Sequence, residues 1–128
     1  MALSERLQGG PPSQSVHRSA LLYRLKSHIQ THLRDPELTL SGVAAAMGIS
    51  ARYANHLMAA EQTSFRRYVL ARRLEQCSRD LRDPAQTYRH VGEIAFAWGF
   101  NDLGHFSRAF KERYGVSPRE WRVAGPQS

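Results

Sequence analysis

The chain has 128 residues, with 18 Lys and Arg against 11 Asp and Glu, a formal net charge of +7 and a sequence pI near 10.3. That length gives one domain, or two very small subdomains sharing a helix, with a modest core and no roomy cofactor pocket. A single cysteine, Cys77, excludes an internal disulfide or a cysteine-based zinc site, and no apolar run approaches the ~20 residues of a membrane span.

The basic balance suits a polyanionic partner without separating DNA from RNA or an anionic membrane surface. Most of the basic groups are Arg rather than Lys, which favours bidentate contacts with phosphate and guanine. The N-terminus has no signal-like apolar core, so a soluble, cytoplasmic protein is expected.

Residues 1–19 read as a flexible tail or interdomain linker, because Gly9-Gly10-Pro11-Pro12-Ser13 breaks a helix and no apolar period surrounds it. A first helix is predicted at about 20–34, with Leu21, Leu22, Leu25, Ile29 and Leu33 at near-helical spacing; Asp35-Pro36 stops it. Thr39 suits the N-cap of a helix at about 40–47, which carries Leu40, Val43, Ala44 and Met47 on one side. Gly42 inside it costs up to roughly 1 kcal/mol, so packing must hold that helix. Gly48 suits a left-handed turn and Ser50 the N-cap of a helix at about 51–60.

Ser64 is placed to cap the longest helix, about 65–81. Phe65, Tyr68, Val69, Leu74, Cys77 and Leu81 form its apolar face, and Arg66, Arg67, Arg72, Arg73 and Arg79 crowd the other. Cys77 on the apolar side reads as a buried small residue. Asp83-Pro84 ends the helix, and 82–89 form a polar connection. A helix at about 90–98 passes through Gly99-Phe100 into another at about 102–114, which Gly115 closes. Ser117-Pro118 opens a last short turn anchored by Trp121, and 124–128 are a tail. Trp98, Phe100, Trp121 and Phe65 are expected in the core. With no strand found, the fold class is all-α, with seven helices.

One pattern occurs twice. Ala44-Ala45-Ala46-Met47-Gly48-Ile49-Ser50 returns 51 residues later as Ala95-Phe96-Ala97-Trp98-Gly99-Phe100-Asn101. Each copy runs into Gly, one large apolar residue and a small polar capping residue, Ser50 or Asn101. A second helix pattern follows, with Ala54, Leu57 and Met58 in one copy and Phe106, Ala109 and Phe110 in the other. Short helix, tight glycine turn and apolar-backed helix are the layout of a helix-turn-helix, over about 40–60 and 90–114.

The run Glu93-Ile94-Ala95, Gly99-Phe100-Asn101-Asp102, His105-Phe106-Ser107-Arg108-Ala109-Phe110-Lys111, Tyr114-Gly115-Val116-Ser117-Pro118 and Trp121-Arg122 resembles the DNA-binding domain of AraC/XylS-type bacterial transcription regulators. Arg73-Leu74, Cys77 and Leu81 match that family's linker helix, and the resemblance covers residues 20–123. It implies two helix-turn-helix subdomains joined by the long helix, and a regulator that is usually an activator. Seventeen helical residues span about 25 Å, and with the helix widths at both ends added this suits two reading helices about 34 Å apart, entering successive major grooves of double-stranded promoter DNA. The resemblance further implies a separate effector or dimerisation domain, absent from this chain, and RNA polymerase as a partner. Two departures stand out: Gln62, in the short turn Glu61-Gln62-Thr63-Ser64, stands where many relatives have Gly, and the 82–89 loop is longer than the family's shortest.

With Ala54, Leu57 and Met58 inward, the first reading helix offers Arg52, Tyr53, Asn55, His56 and Ala59 outward. By resemblance Arg52, Asn55 and His56 take base-reading positions. Arg can clamp guanine O6 and N7, and Asn can pair with adenine. Tyr53 suits packing or phosphate. The second helix offers Leu103, Gly104, His105, Ser107 and Arg108; Gly104 stands opposite Arg52 and Arg108 opposite His56, so this helix is expected to discriminate less. Ser50, Asn101, Lys111 and Arg72 or Arg73 are the expected phosphate contacts, helped by the backbone N–H of Asp102.

Other chemistry is weakly represented. His28 and His32 lie four apart on one helix, but no carboxylate or cysteine stands at matched spacing, so no metal site or cofactor is expected. No nucleophile triad or phosphate-binding glycine loop marks an enzyme. The competing reading is a non-specific basic nucleic-acid-binding or membrane-surface module using the arginines of helix 65–81, or a protein-interaction fragment of a larger regulator.

Overall fold

The computed structural model describes residues 12–125, and among them seven α-helices and one 3-10 turn carry the regular structure, with no strand. The helices are α1 (Pro12–Thr31), α2 (Leu40–Met47), α3 (Ala51–Ala59), α4 (Phe65–Leu81), α5 (Val91–Ala97), α6 (Leu103–Tyr114) and α7 (Pro118–Ala124), with the 3-10 turn at Pro84–Gln86. They divide into two units. The first holds the described residues up to Thr31 together with Thr39–Phe65; the second holds His32–Leu38 and the chain from Arg66 onward.

In the first unit α1 packs on α2 and α3. Leu21, Leu25 and Ile29 come inward from α1, Val43 and Ala44 from α2, and Ala54, Leu57 and Met58 from α3. The one-sided apolar spacing of each helix leaves no other face able to leave water. Lys26 of α1 pairs with Glu61 in the turn after α3, a surface contact of small weight. Thr39 caps α2 by accepting the Gly42 N–H at 3.1 Å, and Ser50 caps α3 by accepting the Tyr53 N–H at 3.0 Å.

Two boundaries differ from the sequence reading. Residues 12–19, expected in a linker, are helical, because proline in a helix's first turn lacks only an N–H that would find no intrahelical partner anyway. The rest of that expected linker, 1–11, and the tail residues 126–128 lie outside the described residues. Helix α1 also stops at Thr31 rather than near 34. The residue before Pro36 is barred from helix, and the chain already turns at His32, whose carbonyl accepts the Asp35 N–H at 3.0 Å.

The second unit closes around Leu74, Cys77 and Leu81 of α4, Ile94 and Ala95 of α5, Phe100, and Phe106 and Phe110 of α6. Phe106 packs edge-on to Phe100, with ring centroids 4.9 Å apart, and Trp121 edge-on to Phe110 at 5.9 Å. Cys77 is fully buried as expected, and burial pushes its thiol up to about 12, with the Asp80 charge adding to the rise and Arg73 opposing it. Trp98 and Trp121 correct the expectation of a buried core residue, since both are only half-buried. Their indole N–H groups need polar partners, which are Asp80 Oδ2 at 2.7 Å and the Ser78 carbonyl at 2.9 Å.

The two glycine turns share one hydrogen-bond pattern. Ile49 N–H reaches the Ala44 carbonyl and Gly48 N–H that of Ala45; Phe100 N–H reaches Ala95 and Gly99 N–H reaches Phe96, each at 3.0 or 3.1 Å. Gly48 and Gly99 have φ of +72° and +93°, the left-handed termination that L side chains resist. Their surroundings are unlike. A Cβ on Gly48 would meet nothing within 4 Å, whereas one on Gly99 would fall 2.5 Å from the Leu33 carbonyl oxygen and 2.8 Å from the Arg73 guanidinium. Gly48→Ala should therefore cost about 1–2 kcal/mol of backbone strain, and Gly99→Ala roughly 3 kcal/mol or more, because backbone must move as well. Urea unfolding of both variants measures the contrast, and equal losses would refute it.

Gln62 takes the glycine-like conformation itself, with φ of +59°. Gln62→Gly should raise stability by ~0.5–1 kcal/mol, the relieved strain exceeding the added unfolded-state entropy. A thermal midpoint that does not rise by a few degrees would mean that the glutamine side chain contributes an offsetting contact.

Candidate nucleic-acid interface

In α3 the buried triad Ala54, Leu57 and Met58 fixes the helix's rotation about its own axis. Arg52, Asn55 and His56 are then exposed together, with Ala59 beside them, as expected. Tyr53 is half-buried, and its ring stacks on His56 with centroids 6.4 Å apart and planes 19° from parallel. Ser50 is exposed at the start of this helix, and its hydroxyl oxygen already accepts the Tyr53 N–H, leaving its own O–H to donate outward.

An element outside the sequence expectation joins this face. The N-terminal half of α1 brings Gln14, His17 and Arg18 to an open groove shared with Tyr53 and His56. Residues 12–19 carry no apolar period, so the pattern that reveals buried helices was silent there. Pro12 was the available signal, being as compatible with a helix start as with a linker.

In α6, Phe106 and Phe110 are buried, and Gly104, His105, Ser107 and Arg108 are exposed, with Lys111 one turn further on. The capping residue differs from the expectation. Asp102, not Asn101, is the N-cap, and its Oδ1 accepts the His105 N–H at 3.0 Å. Asn101 is the one extra residue between turn and helix, exposed and non-helical. The hydrogen bond from the His105 backbone N–H holds the Asp102 carboxyl below the usual carboxylate range against desolvation, with the Gly104 backbone and the Arg108 and His105 charges adding smaller contributions. The ring of His105 lies 6.2 Å from Phe100, tilted by 57°.

The two arginines expected to touch phosphate are differently placed. Arg72 pairs with Glu75, which Arg113 also approaches at 3.2 Å, and lies over Tyr68 at 5.5 Å. Its Nε is buried without a partner. Arg73 donates from Nε to the Leu33 carbonyl at 2.9 Å and from Nη2 to the Asp35 carbonyl at 2.7 Å, so its main contacts are structural. Among the described residues no group of three or more His, Cys, Asp and Glu could hold a metal ion, and no helix is long and apolar enough to cross a membrane.

Known proteins share this layout. A family model described as a helix-turn-helix domain matches residues 43–124. The chain is similar to the transcriptional activator NphR of Rhodococcus sp, 38% identical over 107 residues that cover 84% of this chain and 31% of the relative. It is also similar to the transcriptional activator RhrA of Rhizobium meliloti (strain 1021), 30% identical over 120 residues covering 94% and 37%. The chain thus spans about a third of the length of these curated relatives. Among solved structures it resembles the C-terminal domain of AraT, a response regulator from Geobacillus stearothermophilus, with a TM-score of 0.74, 30% identity and coverage of 84% and 87%. A probable AraC family transcriptional regulator from Rhodopseudomonas palustris CGA009 aligns with a TM-score of 0.71, 26% identity and coverage of 82% and 97%. The doubled turn, the two apolar-backed helices and these matches agree: the chain belongs to the AraC-type helix-turn-helix family.

Proposed function

We propose that this chain is the DNA-binding part of a transcription activator that reads duplex promoter DNA with α3 and α6. One observation carries the reading: in each unit a capped helix is anchored by buried residues and turns a polar, hydrogen-bonding face outward. An α-helix so presented fits the major groove, where base edges carry a distinct donor and acceptor code.

In α3, Arg52 clamps guanine O6 and N7, Asn55 pairs with adenine N6 and N7, and His56 takes a neighbouring base. In α6, Arg108 and His105 reach base edges, Ser107 adds a short contact, and Gly104 contributes no side chain. Ser50, Asn101 and Lys111 bind phosphate, with Arg72 adding charge that Glu75 partly neutralises. Arg73 matters chiefly to the fold. Arg18 widens the basic surface beside α3, and His17 adds a polar ring to it. Relatives about three times longer, named as activators, support an effector or dimerisation domain elsewhere in the intact regulator and RNA polymerase as a further partner. Such a protein acts in the cytoplasm, where the chromosome lies.

Selection from a random duplex library at ~150 mM salt, where non-specific binding is weak, tests the reading. Two enriched boxes are expected, one for each reading helix. No enrichment, with binding that vanishes as salt rises, would favour the non-specific basic module instead.

Two substitutions separate readout from grip. Arg52→Ala should lose about 1–3 kcal/mol of discrimination at one base pair of the first box, with less effect on random duplex. Equal losses on selected and random DNA would remove Arg52 from base reading. Lys111→Ala should weaken all sequences alike and flatten the log–log salt slope by about 0.9, with the thermal midpoint unchanged. Arg73→Ala should instead lower stability by about 1.5–3 kcal/mol, as charge-assisted hydrogen bonds are lost. Titrations at several salt concentrations, paired with melting curves, check both; a flattened slope for Arg73→Ala without a lowered midpoint would reverse the assignment.

A further inference from the structure

The most unusual juxtaposition on either helix face lies at the start of α6. A Cβ built on Gly104 would sit 3.1 Å from Arg108 Nη1 and 3.3 Å from Asp102 Oδ1, with Arg108 Cζ at 3.9 Å. The guanidinium is therefore laid back one helical turn, over the space a side chain would fill, and the capping carboxylate borders the same space. The first unit has no counterpart. Its cap is the uncharged Ser50, and Arg52 and His56 occupy the positions of Gly104 and Arg108.

We propose that Asp102 and Gly104 are positioning residues for Arg108: the vacancy at Gly104 admits the guanidinium, and the Asp102 carboxylate orients it for guanine. The inference rests on the proposed reading of DNA by α6. An arginine has many rotamers, and ordering it before binding reduces the freedom lost on contact. Opposite charge across a gap that no side chain fills supplies the ordering force. The cap geometry keeps the carboxylate ionised, because the backbone N–H of His105 already donates to it at 3.0 Å. A carboxylate this close to an incoming phosphate backbone also repels it, so Asp102 should trade general affinity for selectivity.

The experiment uses the whole chain, a duplex bearing the selected second box, single-base variants of that box and a random duplex. Asp102→Asn keeps a good N-cap while removing the charge. It should leave the thermal midpoint near that of the parent, tighten random duplex, and reduce the guanine preference assigned to Arg108 roughly tenfold. Gly104→Ala meets the end of the Arg108 side chain at 3.1 Å and the capping oxygen of Asp102 at 3.3 Å, and alanine's better helix propensity offsets the small shift they must make, so the midpoint should stay within a few degrees of the parent. The same guanine preference should nevertheless decline, while the first box is read as before.

Adding Asp102→Asn to Arg108→Ala should change base preference no further. If Arg108→Ala leaves every base preference of the second box intact, the reading of DNA by α6 is itself wrong. If Arg108→Ala abolishes the guanine preference but Asp102→Asn and Gly104→Ala leave it whole, Arg108 reads unaided and only the positioning role is overturned. A uniform gain in affinity for Asp102→Asn, with preferences unchanged, likewise reduces Asp102 to a cap.

Discussion

The second unit is organised by the guanidinium of Arg73. Its two hydrogen bonds reach the carbonyls of Leu33 and Asp35, the second of which also accepts the Leu38 N–H at 3.2 Å within the turn. Burial pulls its pKa down and the charge of Asp35 opposes that shift, as befits a cation holding backbone away from full solvent. The Leu33 carbonyl and this guanidinium then form the wall against which Gly99 lies, so the helix-turn-helix can turn there only without a side chain. Arg34 adds a second grip, stacking over Trp98 at 3.9 Å and reaching the Ala97 carbonyl at 3.4 Å. From Gly99 the path runs to buried Phe100, then to Phe106, and so to the rotation of α6 that exposes Arg108. The outward face of α6 is thus tied to a contact between residues forty apart in sequence.

The arginines show why charge alone is a poor guide to an interface. Arg122 donates to the carbonyls of Leu81, Arg89 and Gln86, closing the connection that leads out of α4. Arg82 donates to the Trp121 carbonyl and covers that indole at 3.4 Å. Each is a planar donor set satisfying backbone that helix ends leave unpaired. A net charge of +7 therefore overstates what faces a polyanion, since several of its members are committed inside the fold. Nothing local in the sequence separates Arg73 from Arg52, because the partners of Arg73 are distant in the chain.

What was legible follows from what is periodic or local. The spacing of Ala54, Leu57 and Met58, and of Phe106 and Phe110, identified the inward faces, and the repeated glycine located both turns. Thr39 and Ser50 declared themselves as caps because a cap needs only its own helix. The second cap was misplaced by one residue, since Asn101 and Asp102 are both competent caps and only the fold decides which enters the extended conformation. The half-burial of Trp98 and Trp121 was hidden for a related reason: apolar spacing records the ring, whereas the indole N–H must find Asp80 or the Ser78 carbonyl across the unit.

That one-residue offset bears on how the outward faces of the two units differ. After Gly48 the chain needs two residues to begin a helix, and after Gly99 it needs three. Counting from the caps, Arg52 falls against Gly104 and His56 against Arg108. The first helix therefore presents two long polar groups one turn apart, whereas the second presents one, with an acidic cap behind it. A groove contact built from Arg52, Asn55 and His56 has donors and acceptors enough to specify several adjacent bases. One built on Arg108 can specify a single guanine well, provided its guanidinium is held. Two copies of one supersecondary unit, differing by an inserted Asn101 and a missing side chain at Gly104, thus present two unlike polar faces on the same chain.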